Sequence, residues 1–152
     1  MNRVWAFIIS KPLSNEQLIS LNDLGNKFVL GWTAHEQKLT ASFEIIKNKI
    51  IVVKVNEEVT GASGCSIDKL THFIKDAEKQ FSIELLNRLL VAYKEQDEIC
   101  IVHSSKIKEL LEQNSINENT LILNTACANQ DEFSKWEQPL KNTWLNKYLI
   151  KT

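Results

Sequence analysis

The feature that most constrains the fold is a change from helical to period-two patterning, which occupies residues 27–56. In its middle section, apolar Leu39, Ala41, Phe43 and Ile45 alternate with Thr40, Ser42 and Glu44. Such alternation predicts a strand with one buried face and one wet face. We therefore predict an antiparallel meander of three strands, over residues 27–33, 38–46 and 49–56. Its turns are predicted at 34–37 and at Lys47–Asn48.

A helix is predicted on either side of this meander. Ser14 as N-cap and Gln17 three residues later form a capping box, and Gly25 is predicted to end the first helix. The second helix is predicted over about 67–80, after a loop at 57–66. Its apolar stripe consists of Ile67, Leu70, Phe73, Ile74, Ala77 and Phe81.

In the second half of the chain, the sequence predicts another hairpin and several shorter strands and helices. Strands are expected near 85–93 and 98–103, and Ser104 or Ser105 is expected to cap a short helix. A last strand is predicted at 121–123, and residues 131–149 are predicted to be helical with an interruption at Pro139. Hairpins rather than crossovers predict an α+β fold with a mostly antiparallel sheet and packed helices. The length predicts one domain, over residues 1–152.

Composition narrows the functional classes. With 18 basic and 19 acidic residues the net charge is −1, so no nucleic-acid partner is predicted. The three cysteines are too far apart for a disulfide framework or a CxxC pair. The apolar run at 4–9 is too short for a signal peptide or a membrane span, so a soluble, cytoplasmic chain is predicted.

The segment from Gly61 to Asp68 lies where phosphate-binding loops occur, between a predicted strand and a predicted helix. Its first half resembles the phosphate loop of ABC-transporter ATPases. That motif requires Gly, Lys and Ser or Thr at positions 66, 67 and 68, where this chain has Ser66, Ile67 and Asp68. The lysine and the magnesium-binding hydroxyl are missing, so the sequence argues against nucleotide hydrolysis.

The whole chain resembles a small uncharacterised bacterial family whose members often carry the label ABC-transporter ATPase. The residues that carry this resemblance are Trp32, His35, Ser63-Gly64-Cys65-Ser66-Ile67-Asp68, Arg88, Asn124-Thr125, Trp136 and Trp144. The resemblance implies a family and no mechanism.

Cys65 is the candidate for catalysis. A helix start beside it would favour the thiolate, and His35 or His103 could serve as the base, with Asp68 to orient the histidine. The alternative is a cysteine that packs as a small apolar residue, beside Ser63 and Ser66 that only cap the helix. No metal-ligand spacing occurs among the histidines, so no metal or other cofactor is predicted.

Arg88 is the best single indication of a ligand. In the predicted strand its neighbours on one face would be Leu86 and Leu90, and an arginine buried among them would need an anion. Trp136, Trp144 and Tyr148 give the C-terminal segment an aromatic face, for core packing or for a homo-oligomer contact.

The leading hypothesis is a non-enzymatic domain that binds a small molecule or a protein partner. The second is a cysteine-dependent enzyme or thiol redox sensor that uses Cys65 and His35, and the third, disfavoured, is an ATPase. We predict that the ligand-binding residues converge at one site, made of Trp32, His35, Ser63, Gly64, Cys65, Ser66, Asp68 and Arg88.

Overall fold

The computed structural model describes residues 2–58 and 60–149 and has the predicted α+β fold. The strands are β1 Asn2–Ile8, β2 Thr33–Ala34, β3 Gln37–Lys38, β4 Thr40–Ile46, β5 Ile50–Asn56, β6 Leu90–Glu95, β7 Glu98–His103, β8 Leu121–Leu123 and β9 Glu137–Pro139. The α-helices are α1 Asn15–Gly31, α2 Gly64–Phe81, α3 Ile107–Glu112 and α4 Gln130–Ser134. Short 3-10 helices span Ser104–Lys106, Leu140–Asn142 and Trp144–Leu149.

The strands form two larger antiparallel sheets and one small hairpin. The first sheet has the order β1-β5-β4, and the second has the order β7-β6-β8-β9. The hairpin of β2 and β3 leads from α1 into β4. Each larger sheet contains one predicted hairpin, β4–β5 or β6–β7, but the neighbours β1–β5 and β6–β8 are not consecutive along the chain, so hairpins alone do not build the sheets.

β5 is the central strand of the first sheet and is buried on both faces. Ile51, Val53 and Val55 pack with apolar residues of α1 and α2. Ile50 and Val52, which point the opposite way, pack with residues of β1 and of the second sheet. The first sheet therefore lies between a helical layer and the second sheet.

The far side of the second sheet has a core of its own. Val91 and Tyr93 of β6 pack there with Ile107 of α3 and with Leu140 and Leu145 of the C-terminal 3-10 helices. Four layers result, with helices outside and the two sheets inside.

Several local predictions are confirmed. The Ser14–Gln17 capping box caps α1, and β4 and β5 form the predicted hairpin. Lys47 and Asn48 both have positive φ in its turn, where the Lys49 N–H donates to the Ile46 carbonyl at 2.9 Å.

The predicted end of the first helix is wrong. α1 continues through Gly25 to Gly31, so the strand predicted at 27–33 is absent and the strand that follows the helix, β2, covers only Thr33–Ala34. Gly25 is needed for close packing rather than for a turn, since a Cβ built there would lie 2.3 Å from the Phe43 ring. Leu21, Gly25 and Val29 are the buried residues of the helix, at a spacing of four.

Three predictions in the second half are also corrected. β6 begins at Leu90, so residues 85–89 lie outside the strand. The 3-10 helix that precedes α3 is capped by His103, whose side chain accepts from the Ser105 N–H, rather than by Ser104 or Ser105.

The third of these corrections concerns residues 131–149, which are not one interrupted helix. Glu137–Pro139 instead forms β9 at the edge of the second sheet. Proline has no N–H to donate to a neighbouring strand, and an edge strand tolerates this. The strand at 121–123 is correct but is followed by β9.

Gly25→Ala is expected to destabilise the protein although alanine is the better helix former. The new Cβ overlaps the Phe43 ring, and overpacking of this kind costs about 1–3 kcal/mol in the free energy of unfolding. Gly31→Ala is the matched control, because no atom lies within 4 Å of a Cβ there. It should be neutral or stabilising by up to about 1 kcal/mol. Urea denaturation measures both, and equal effects would contradict the packing role of Gly25.

Candidate functional site

The loop before α2 is organised by hydrogen bonds within itself. Ser63 is the N-cap of α2, and its Oγ accepts from the Ser66 N–H at 3.2 Å, while the Ser63 N–H donates to the Ser66 Oγ at 2.7 Å. The Ser66 hydroxyl donates to the Ser63 carbonyl at 2.8 Å, and its residue is fully buried. These two serines therefore serve to start the helix. Gly64 has room for a Cβ and no positive φ, so neither packing nor backbone conformation requires glycine there.

Trp32 connects this loop to the core. Its side chain is only 1% exposed, and its indole Nε1 donates to the Ser66 carbonyl at 2.8 Å. The ring packs against Trp5 and Phe28, with centroids 5.9 and 5.2 Å away. Trp32 and the start of α2 thus meet, but the tryptophan is a buried anchor and offers no surface to a ligand.

His35 lies on the surface near the same loop. It has a φ of 52° in the turn between β2 and β3, and its side chain is exposed. Two contacts bring this hairpin to the loop and to α2. Lys69 Nζ lies 3.4 Å from Thr33 Oγ1, and Thr60 Oγ1 lies 3.3 Å from Gln37 Oε1.

Cys65 and Asp68 are both exposed near the start of α2. No hydrogen bond joins the Cys65 thiol to a histidine within residues 2–58 and 60–149. His103 Nδ1 is instead 2.8 Å from the Ser105 hydroxyl and accepts from the Ser105 N–H. The described geometry therefore supplies Cys65 with no hydrogen-bonded base.

Arg88 lies elsewhere, and its predicted setting inside a strand is wrong. It is exposed, in the connection between α2 and β6. The Glu78 carboxylate of α2 fixes this connection by accepting from the N–H groups of Leu85 and Leu86, at 2.8 and 3.2 Å.

A cleft of about 950 Å³ opens beside Arg88. Three segments supply most of its walls. They are residues 3–8 of β1, residues 85–92 and residues 122–128. Two backbone hydrogen bonds bound the cleft, one near each end of β1. The Val4 N–H donates to the Ala128 carbonyl, and the Ser10 N–H donates to the Glu84 carbonyl, both at 3.1 Å.

The charge of this cleft has one sign. Arg3 and Arg88, the two arginines of the chain, are the charged side chains among its described lining residues, which include no carboxylate. Neither arginine forms an ion pair with a carboxylate of the described residues. The Arg3 guanidinium lies 5.1 Å from the Trp5 ring centroid. This cation–π contact positions the guanidinium and leaves its positive charge in place.

The rest of the lining is polar but uncharged, or apolar. Amide and hydroxyl side chains are supplied by Asn87, Asn124, Thr125, Gln138, Asn142 and Thr143. Trp144, 56% exposed, and Leu86, 40% exposed, are the large apolar side chains that remain open to solvent here. The cleft can therefore hold an anion together with an apolar group.

The eight predicted site residues are thus divided between two places. Trp32 and Ser66 are in contact, Ser63, Gly64, Cys65 and Asp68 adjoin them along the chain, and His35 is in the nearby hairpin. Arg88 lines the cleft, and none of the other seven does. Arg3 is the residue that the sequence analysis missed. The signal available was that it directly precedes the apolar run at 4–9 and is one of only two arginines.

No family model, curated protein or solved structure matches the chain. Among the described residues, no group of three or more His, Cys, Asp or Glu side chains could hold a metal ion. In the same part of the chain, no helix is long and apolar enough to cross a membrane. The resemblance to the bacterial family therefore stays a prediction, and the cleft has to be interpreted from its own chemistry.

Trp32→Phe is expected to lower the free energy of unfolding by about 1–3 kcal/mol. The change removes a buried hydrogen bond to Ser66 and leaves space beside Trp5. Trp144→Phe is the control because that side chain is exposed, and it should change stability by less than about 0.5 kcal/mol. Urea denaturation followed by circular dichroism compares the two variants. An equal loss from both would show that Trp32 does not anchor α2.

Alkylation by iodoacetamide should modify Cys65 before the other two cysteines. Cys65 is exposed, whereas burial raises the pKa of the Cys127 thiol and, with help from the Glu95 carboxylate, that of Cys100. A raised pKa leaves less thiolate at a given pH, so the rates at these two sites should keep rising further into the alkaline range. Mass spectrometry of each cysteine across a pH series measures this order. Modification of Cys127 in the folded protein as fast as Cys65 would contradict it.

Proposed function

We propose that this chain is a non-enzymatic binding domain whose ligand carries a negative charge and occupies the cleft between β1 and residues 85–92. The observation that carries the proposal is the pair of arginines, Arg3 and Arg88, in a cleft whose described lining has no acidic side chain.

Arginine suits this role because of its geometry. The guanidinium is planar, stays charged, and presents a fork of N–H donors that matches both oxygens of a carboxylate or phosphate. A cationic side chain with no acidic partner nearby leaves its Coulomb interaction available to a ligand. Neutral amides such as Asn87 and Asn124 can complete the ligand's hydrogen bonds without competing for its charge.

The walls of the cleft also favour an apolar portion in the ligand. Trp5, Phe7, Leu86 and Trp144 bring large apolar and aromatic surface to the same space. Apolar walls with a few placed polar groups are typical of sites for organic ligands rather than for simple ions. The ligand class that fits is an organic anion with an apolar portion.

The 61–68 loop supports binding less well than the cleft does. The amide groups at the start of α2 are partly occupied by the Ser63 and Ser66 side chains, and Trp32 is buried beneath them. Nucleotide hydrolysis at this loop is not proposed, since Ile67 and Asp68 replace the residues that the chemistry needs.

A thiol function at Cys65 is the second candidate. Its support is the exposure of the side chain in the first turn of α2. The alkylation series tests this candidate. A rate constant at Cys65 no greater than that of free glutathione would remove it.

The first test uses 2-naphthoate, which combines a carboxylate with an aromatic ring. We expect saturable binding, followed by the fluorescence of Trp5 and Trp144 in the cleft. Replacing both arginines, as Arg3→Gln with Arg88→Gln, should weaken binding by about tenfold or more because a charged hydrogen bond contributes about 1.5–3 kcal/mol. Raising the salt concentration should weaken binding in the wild-type protein more than in the double variant.

Two controls separate charge in the cleft from charge in general. Lys108→Gln with Lys141→Gln removes the same charge from exposed sites outside the cleft and should leave binding unchanged. 2-Naphthalenemethanol has the same ring without the carboxylate and should bind the wild-type protein and the double arginine variant equally. Naphthoate binding that is unaffected by loss of both arginines would overturn the proposal.

A further inference from the structure

We infer that the anionic ligand is an extended segment of an acidic partner protein, which adds to the first sheet as a strand beside β1. This inference rests on the proposed function and names its ligand class. The juxtaposition that points to it is an unpaired sheet edge inside a cleft whose charge is positive.

β1 is an edge strand, since the order of its sheet is β1-β5-β4. Backbone groups alternate between the two sides of a strand. The Val4 N–H points away from β5, because it donates to the Ala128 carbonyl. Ala6 and Ile8 share its orientation, so their N–H and C=O groups also face the cleft.

These groups have no partner among the described residues. β1 pairs along its length with β5, and the backbone hydrogen bonds on its outer side lie only near its ends, at Ala128–Asn129 and beyond it at Glu84. The open stretch covers about 14 Å from Val4 to Ile8, at about 3.4 Å per residue. A strand of roughly five residues matches that length.

Apart from Arg3 near its start, β1 also lacks the usual protection of an edge. Proteins commonly block an exposed edge with proline, with lysine, with a bulge or by keeping the strand very short. β1 has seven residues, pairs with β5 without a bulge and contains no proline or lysine. Strand addition uses such an edge for affinity and adjacent pockets for specificity.

Charge complementarity identifies the partner's composition. Arg3 precedes the open stretch on β1 itself, and Arg88 belongs to the segment that forms another wall. A strand laid along β1 would pass between these walls, with side chains alternating in direction. Glu or Asp at alternate positions would complement the arginines, and apolar residues between them would meet Leu86, Leu90 and Trp144.

The test uses the peptide acetyl-TVEVEVT-amide on the intact wild-type protein, with tryptophan fluorescence as the signal. Two matched peptides serve as controls. Acetyl-TVKVKVT-amide reverses the charge, and the acidic peptide N-methylated at its three central residues keeps the charge but loses the backbone donors. The acidic peptide should bind at least about tenfold more tightly than either control, from the loss of charged or backbone hydrogen bonds.

Amide hydrogen exchange locates the bound strand. Binding of the acidic peptide should slow exchange at Ala6, whose N–H gains a partner. Exchange at Phe7 should change little, because its N–H already faces β5. Arg3→Gln with Arg88→Gln should reduce both peptide affinity and the protection of Ala6.

The outcomes separate this inference from the proposed function. If 2-naphthoate binds but no peptide does, the cleft holds small anions and strand addition is overturned while the proposed function stands. If the N-methylated peptide binds as well as its parent, the ligand does not pair with β1. If the free chain dimerises and the peptide dissociates the dimer, the occupant is a second copy, which also overturns the inference. If neither naphthoate nor peptide binds, both proposals are wrong.

Discussion

The burial of β5 on both faces is the constraint on which the rest of the structure depends. Ile50 to Val53 and Val55 are each 0% exposed, and fully burying one such side chain is worth about 1.5–3 kcal/mol. A strand apolar on both faces requires a cover on each side. The helices α1 and α2 supply one cover and the second sheet supplies the other, so the order of layers follows from this one segment.

The same arrangement creates the cleft. With β5 in the middle of a three-stranded sheet, β1 becomes an edge, and the second sheet packs over one face instead of continuing the hydrogen-bonded ladder. The two sheets are joined beside β1 by residues 124–128, which lead from β8 to the contact at Val4. Between this contact and the one at Ser10, the chain leaves backbone donors and acceptors unpaired. The cleft is therefore a consequence of how the sheets meet, with arginines placed on its walls.

The parts of the fold that sequence predicts well are those that depend on near neighbours. The Ser14–Gln17 capping box, the β4–β5 hairpin and the stripe of α2 each involve residues a few positions apart. Gly25 shows where this reasoning fails. A glycine after an apolar stripe is typical of a helix end, but here it admits the ring of Phe43, eighteen residues later. The prediction of a helix in place of β9 fails for the same reason. β9 forms because it pairs with β8, a non-local contact, whereas the spacing of nearby apolar residues is helical.

The candidate site shows the same division. Sequence brought attention to residues 61–68 because glycine, serine and aspartate cluster there, and helix capping accounts for much of that cluster in the structure. It could not place Arg3 and Arg88 in one cleft, since 85 positions separate them and no local pattern links them. The polar groups that a fold uses to hold itself together are poor evidence of function, because their hydrogen bonds are already made. Guanidinium groups without acidic partners and backbone groups on an open edge are better evidence, since the hydrogen bonds that they can make are not already made within the fold. In this chain both kinds of group line the same cleft, and for that reason we propose the edge of β1, rather than the loop at 61–68, as the binding site.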